Sequence, residues 1–361
     1  MPDKTRTQVL TEEDADRKAE MTLKIKDLWE QGEILPPPAG GDGWHTGHPL
    51  LPRQPARPGH VTLVEPSRVK QGNRAAFVHT LVHAESYAID LMWDLMARFG
   101  GEALPRAFYD DWVRVASEEA VHYARWRDRL AQLGSFYGAY PAHNSLWDSA
   151  SETSHDLLAR LAIVHMVHEA RGLDVAAAGL ARLMKGNPPD LESAQILERN
   201  VIDETGHVGF AVKWFSYVCN QRGLGDPKQV FHDYVGRLFR GALRPPFNDE
   251  ARRAAGMTPE WYVPLSSPAE SRAGDGAEGG GREALEGARG VGAGRGSEQA
   301  ITRAGSERDQ SPKLASTLPA VAAVTAGDGV EGGTAEAETA RWASLATEGW
   351  RRARPLPREG E

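Results

Sequence analysis

Two stretches of the sequence decide the fold: SEEAVHYARW at residues 117–126 and DETGHVGF at residues 203–210. Each contains a glutamate followed three residues later by a histidine, Glu119 with His122 and Glu204 with His207. Residues three apart lie on one face of an α-helix, so each pair can bind a single metal ion. The same face is otherwise apolar, which is typical of a helix side that packs into a core. We therefore interpret both pairs as metal ligands near the middle of a helix.

Two further glutamates occupy the same kind of position. The spacing of apolar residues predicts four long helices, at about 74–99, 106–133, 151–184 and 190–220. Glu85 and Glu169 lie on the apolar faces of the first and third of these helices. A buried carboxylate without a partner is costly, and four that face one another would repel. The pattern therefore predicts a cation between the four helices.

The predicted ligand set is one glutamate from each of two helices and Glu-x-x-His from each of the other two. This is the ligand set of ferritin-like di-iron and di-manganese carboxylate proteins. A third Glu-x-x-His, Glu152 with His155, shows that one such motif alone is weak support. Glu152 and Ser149 have capping-box spacing, so we expect Glu152 to cap the third helix. A polar network in the core, or a bundle without metal, is the competing interpretation.

Charged neighbours of the ligands have two interpretations. A metal-bound histidine usually donates its second N–H to a carboxylate. Asp203 can orient His122 in this way, and Glu118 can orient His207; alternatively, both acids are solvated flanking charges. His165 lies one turn before Glu169 and is either an outer group of the site or a core histidine. No catalytic residue is predicted.

The rest of the chain is predicted to surround this core. We expect a helix over about 11–31, begun by a capping box of Thr11 and Asp14, and a Pro- and Gly-rich strap over 33–72. A fifth helix is predicted over 227–243. The resulting domains are 1–72, the helical bundle over 73–255, and a low-complexity, disordered tail over 266–361.

Composition excludes several classes of protein. A formal net charge of −8 and a pI near 5.9 argue against a broadly basic nucleic-acid-binding surface. The single cysteine, Cys219, excludes a disulfide framework, a thiolate zinc site and a Cys-ligated iron–sulfur cluster. No apolar run is long enough to span a membrane, and the polar N-terminus does not resemble a signal peptide. We therefore expect a cytoplasmic protein.

Longer motifs surround the candidate ligands. They include HTLVHAESYAIDLMWDLMARF at 79–99, PAHNSLWDSA at 141–150 and LRPPFN at 243–248. Together with the two stretches quoted first, they resemble the ferritin-like domain-of-unknown-function family 455 over about residues 10–255. The resemblance implies an all-α, ferritin-like four-helix bundle with these residues in the ligand positions: Glu85, Glu119, His122, Glu169, Glu204 and His207. A more distant likeness is to the tRNA-modifying di-iron hydroxylases.

We expect a di-iron carboxylate oxidoreductase, with manganese as the other metal that these ligands suit. It would activate dioxygen or peroxide to oxidise or hydroxylate a small molecule or a modified nucleoside, with electrons from an external donor. The alternative is a metal-binding protein without redox turnover, serving in iron storage or as a structural or interaction module. The sequence leaves the substrate and the oligomeric state open.

Overall fold

The computed structural model describes residues 8–37, 51–239 and 242–266. Regular structure in these ranges is entirely helical, which confirms the all-α prediction, and the β-type pairing among them is limited to two isolated bridges. No helix in the described ranges is long and apolar enough to cross a membrane. The predicted tail from 267 onward and the central part of the strap, 38–50, lie outside the described residues.

The first long helix, α1 (Ala15–Glu30), begins differently from the prediction. Residues 8–11 form a separate helical turn, and Asp14 itself is the N-cap of α1, where its side chain accepts hydrogen bonds from the N–H groups of Asp16 and Arg17. The predicted capping box of Thr11 and Asp14 is therefore wrong. A single short acidic side chain satisfies two free N–H groups at this helix end.

The helices α2 (Arg74–Arg98) and α3 (Arg106–Gln132) pack along each other, and α1 packs on α3. Asn73 caps α2 by accepting a hydrogen bond from the N–H of Ala76. The apolar faces of α2 and α3 bury large aromatic side chains, among them Trp93, Trp112 and Trp126. Both helices match the predicted ranges within one residue at each end, because strong apolar periodicity and flanking Gly or Pro set their limits.

The third predicted helix, 151–184, is wrong at its start. The chain forms a separate helix, α4 (Ser145–Glu152), and the next helix begins at α5 (Leu157–Arg160), capped by Asp156. Glu152 is thus the last residue of α4 and does not cap the third helix. From α5 the chain continues through a π-helical segment, Leu161–His168, into α6 (Glu169–Met184).

The remaining helices complete the described chain. They are α7 (Leu191–Gln221), α8 (Pro227–Leu238), α9 (Asp249–Ala254) and α10 (Pro259–Tyr262). α7 packs along α6 and also contacts α3, while α8 packs on α7 and the π segment. The predicted fifth helix ends at 238 rather than 243, since Phe239 has an extended backbone. The two short helices were not predicted.

Buried ion pairs hold the peripheral segments on the long helices. Asp90 of α2 binds Lys18 of α1 at 2.7 Å and Arg57 of the strap at 2.6 Å. In the same way, Asp174 of α6 binds Arg252 of α9 at 2.6 Å. Each buried acid has cationic partners, as a buried charge requires.

A second buried acid on α2 holds the chain that follows α4. Asp94 binds Arg160 of α5 at 2.5 Å and Arg98 of its own helix at 2.7 Å, and neither Asp94 nor Arg160 is more than 1% exposed. Arg160 also donates hydrogen bonds to the backbone oxygen of Ala150 and to Oγ1 of Thr153. The break between α4 and α5 is therefore fixed against α2.

Candidate metal centre

The six residues singled out by sequence come from four helices that pack together. Glu85 lies on α2, Glu119 and His122 on α3, Glu169 at the start of α6, and Glu204 and His207 on α7. Each sits on the inward-facing apolar side of its helix, because the three- and four-residue spacing of the apolar side chains continues through it.

Four of the six are placed so that they could hold one ion. One ligand atom each of Glu85, Glu119, His122 and Glu204 lies within 4.8 Å of the others. Glu119 and Glu204 each lie between two imidazoles. Nδ1 of His122 is 3.5 Å from Oε2 of Glu119 and 3.3 Å from Oε1 of Glu204.

The other two residues, His207 and Glu169, adjoin this group. Nδ1 of His207 is 2.9 Å from Oε1 of Glu119 and 3.3 Å from Oε2 of Glu204. Glu169 lines the same cavity as Glu85, Glu119 and Glu204.

Each histidine has a carboxylate on its far side. Nε2 of His122 is 3.2 Å from Oδ2 of Asp203, and Nε2 of His207 is 3.0 Å from Oε2 of Glu118. These are the two neighbours considered from sequence. An N–H donated outward at Nε2 leaves the lone pair of Nδ1 directed into the cluster, which is the arrangement that metal-bound histidines use.

Four atoms at the centre of the cluster are buried and have no hydrogen bond of suitable geometry: both carboxylate oxygens of Glu119 and Nδ1 of His122 and of His207. They lie close together, yet they are not aligned as donor and acceptor. Buried polar atoms normally have partners, so such a group needs an explanation. A cation among them would satisfy all four, and carboxylate and imidazole donors suit iron or manganese. The residues present therefore fit a metal ion.

The pKa values of the carboxyl groups divide into two pairs. Burial raises the pKa of Glu85 and of Glu169 well above the usual range, and the neighbouring glutamates raise it further. Burial also acts to raise the pKa of Glu119 and Glu204, but the adjacent imidazoles outweigh it and the pKa falls below the usual value. Four buried carboxylates cannot all ionise without compensating positive charge.

The imidazoles show the complementary shift. Burial by itself would lower the pKa of His122 and of His207, but the effect of the surrounding carboxylates outweighs burial, so the pKa of each is well above the usual value. Without a metal ion, protons bound to these carboxyl and imidazole groups therefore balance the negative charge of the cluster. Because metal ligands must be deprotonated, a bound cation would take the place of those protons.

His165 does not hydrogen-bond to a ligand. It is fully buried, both of its ring nitrogens lack a hydrogen-bond partner, and its ring lies 4.7 Å from that of Trp112. Burial and, to a lesser extent, Arg160 lower its pKa well below the usual value, so the ring is neutral. Glu152 and His155, the third Glu-x-x-His, are exposed on the chain around the end of α4.

The sequence did not predict the cavity that reaches this cluster. It has a volume of about 590 Å³, and its lining includes the four glutamates together with apolar residues of α2, α6 and α7. Its walls also include His168, in which burial lowers the pKa to about 4, and Asn200. Asn200 lies four residues before Glu204, so the sequence alone could have placed both side chains on the same helix face.

The π segment was not predicted either. It ends at His168, so the candidate ligand Glu169 directly follows a stretch with a wider helical turn. Single π turns within α-helices occur frequently at functional sites. Apolar periodicity does not distinguish such a segment from an α-helix over eight residues.

The chain was compared with known proteins. It is 37% identical over 194 residues to a protein of Haemophilus influenzae described as an uncharacterized protein. This alignment covers 51% of the present chain and 65% of the relative's length. No solved structure matches the chain. The model of the family described as Protein of unknown function (DUF455) matches residues 11–263, and the chain belongs to that family.

Proposed function

We propose that the chain is a ferritin-like protein in which α2, α3, α6 with its π segment, and α7 form the four-helix bundle of a di-metal centre. The alternation of a lone glutamate with Glu-x-x-His along the four helices supports this layout. The proposed ligands are Glu85, Glu119, His122, Glu169, Glu204 and His207, and the proposed cofactor is two iron ions, with manganese as the alternative.

The proposed activity is that of an oxidoreductase acting on an organic substrate in the cytoplasm. When bound, the metal ions would supply the electrons that activate dioxygen or peroxide, and an external donor would restore them. Asp203 and Glu118 hold the protons at Nε2 of His122 and His207, which keeps Nδ1 of each ring free to bind. Apolar side chains line the cavity beside the glutamates.

One observation carries this proposal: the four buried atoms of Glu119, His122 and His207 that lack hydrogen bonds. A network serving only to stabilise the core would pair such atoms with one another. The cavity supports a reactive centre over a structural one, since a structural site is closed by its ligands.

The activity is tested by mixing the anaerobically reduced, iron-loaded chain with dioxygen or hydrogen peroxide in a stopped-flow spectrometer. We expect near-ultraviolet absorption of ferric iron to develop within seconds to minutes, with two irons per chain before and after. The metal-free chain is the control. An unchanged spectrum with both irons still bound would contradict the oxidoreductase proposal and favour a structural role for the metal.

A further prediction concerns the carboxylate behind His122. Asp203→Asn is expected to weaken metal binding by about 10- to 100-fold, because the negatively charged acceptor behind the ring is replaced by a neutral, weaker one. Competition with a chromophoric chelator measures the affinity. Asp128→Asn is the matched control, since Asp128 is an exposed acid of α3 whose partner is Arg127. Equal affinities of the Asp203 and Asp128 variants would argue that Asp203 does not act on the site.

A further inference from the structure

Asn200 of α7 lines the cavity and carries a hydrogen-bond donor without a partner. The residue is 2% exposed and lies one helical turn before Glu204. Its Nδ2 is buried and has no hydrogen-bond partner, although the residue lines the cavity. A buried donor left without a partner costs free energy, so a group that satisfies it would be favoured there.

The orientation of this amide is determined by its other neighbour. Nη1 of Arg125, on α3, is 2.9 Å from Oδ1 of Asn200. A guanidinium group only donates hydrogen bonds, so the amide must turn its oxygen toward Arg125 and its NH₂ group away. The donor is therefore held in place by a contact outside the cavity.

Most of the cavity wall cannot donate such a hydrogen bond. Most of its lining is apolar, including Phe77, Leu81, Leu91, Val164 and Val201. Apart from the glutamates, its other polar side chains have protein partners: Gln71 Nε2 donates to Thr80, and His168 Nε2 lies 2.9 Å from Ser149 Oγ. Among the lining residues, all in the described part of the chain, only Glu119 and Asn200 carry a buried atom without a hydrogen bond.

We propose that the cavity binds a largely apolar organic substrate that carries an acceptor oxygen, and that Nδ2 of Asn200 donates a hydrogen bond to that oxygen. The volume of about 590 Å³ is in the range of small-molecule sites. This inference rests on the proposed function for the identity of the ligand as a substrate. A site built around one hydrogen bond discriminates against the analogue that lacks the acceptor.

The test uses two probes of matched shape, 2-acetylnaphthalene, which has a carbonyl oxygen, and 2-ethylnaphthalene, which has a methylene in its place. Calorimetric titration of the full chain, both metal-loaded and after chelator treatment, gives the affinity of each probe. We expect the ketone to bind about threefold to tenfold more tightly, as one net hydrogen bond provides. Failure of both probes to bind the metal-loaded chain overturns the proposal.

Two variants separate the hydrogen bond from the shape of the cavity. Asn200→Asp keeps the size of the side chain and an acceptor for Arg125 but removes the donor, so the preference for the ketone should disappear. Asn220→Asp, the same change at an exposed position of α7, should leave it intact. Retention of the preference in the Asn200 variant, with unchanged helical circular dichroism, overturns the proposal.

The same samples distinguish this inference from the proposed function. Probe selectivity requires neither turnover nor an oxidant, and metal content is measured separately. If the Asn200 variant loses the selectivity and the native chain binds no metal, the result supports the hydrogen bond from Asn200 and contradicts the metal centre. If the native chain binds two metal ions but binds the two probes with equal affinity, the result contradicts only the hydrogen bond from Asn200.

Discussion

Replacing Glu119 with alanine is expected to remove most of the metal from the purified chain. Glu119 is fully buried, and its two oxygens lie between the two imidazoles, 2.9 Å from Nδ1 of His207 and 3.5 Å from Nδ1 of His122. Its loss takes away a carboxylate that faces both histidines and leaves the cluster with less negative charge to bind a cation. Elemental analysis of the variant and the native chain measures the effect.

Glu152→Ala is the control for this experiment. Glu152 belongs to the third Glu-x-x-His motif, but it is exposed at the end of α4 and is not part of the cluster. We expect its variant to keep the native metal content. Full occupancy in the Glu119 variant would contradict the assignment of the ligands.

The largest expected loss of stability comes from Asp94→Ala. This substitution leaves the buried guanidinium of Arg160 without its acidic partner, and breaking a buried pair in this way costs about 3–5 kcal/mol. At roughly 2–4 °C per kcal/mol for a domain of this size, the melting temperature should fall by about 6–20 °C. Thermal unfolding followed by circular dichroism measures it.

The control removes an exposed pair of the same chemistry. Glu102 binds Arg222 at 2.9 Å, and both side chains are about one third exposed. Glu102→Ala should change the free energy of unfolding by about 1 kcal/mol or less, because solvent screens such a pair. Similar melting temperatures for the two variants would show that the Asp94 pair does not stabilise the fold.

The stabilisation by Asp94 also has a defined pH dependence. Burial acts to raise the pKa of this carboxyl, but Arg160 and Arg98 outweigh it and hold the pKa below its ordinary value of 3.8. A depressed pKa in the folded state stabilises at pH values above the unfolded-state pKa. The difference in unfolding free energy between the native chain and the Asp94 variant should therefore be constant above about pH 5 and shrink as the pH falls below 4.

The parts of the fold that could be predicted depend on local patterns. The helices α2, α3 and α7 follow from long apolar periodicity, and the grouping of Glu85, Glu119, Glu169 and Glu204 follows from their place on it. Carboxylates are uncommon in the middle of an apolar helix face, so four of them on successive helices predicted a common site.

The parts that could not be predicted depend on contacts far apart in sequence. The separation of α4 from α5 is held by Arg160 reaching Asp94, 66 residues away. Arg57 of the strap forms an ion pair with Asp90 of α2, and the sequence around either residue does not indicate this pairing. The orientation of the Asn200 amide depends on Arg125, which lies 75 residues away in the sequence.

The π segment also determines where the length of this chain can vary. A π turn holds more residues than an α turn, so removing one residue between 161 and 168 would let the helix close into regular α geometry. The residues after the deletion would then keep close to their present orientation, and Glu169 would still face the other three helices. The same deletion in α3 ahead of Glu119, where the helix is α throughout, would turn Glu119 and His122 by about 100°, the angle per residue that follows from 3.6 residues per turn. A one-residue deletion is therefore compatible with the site in the π segment and not in α3.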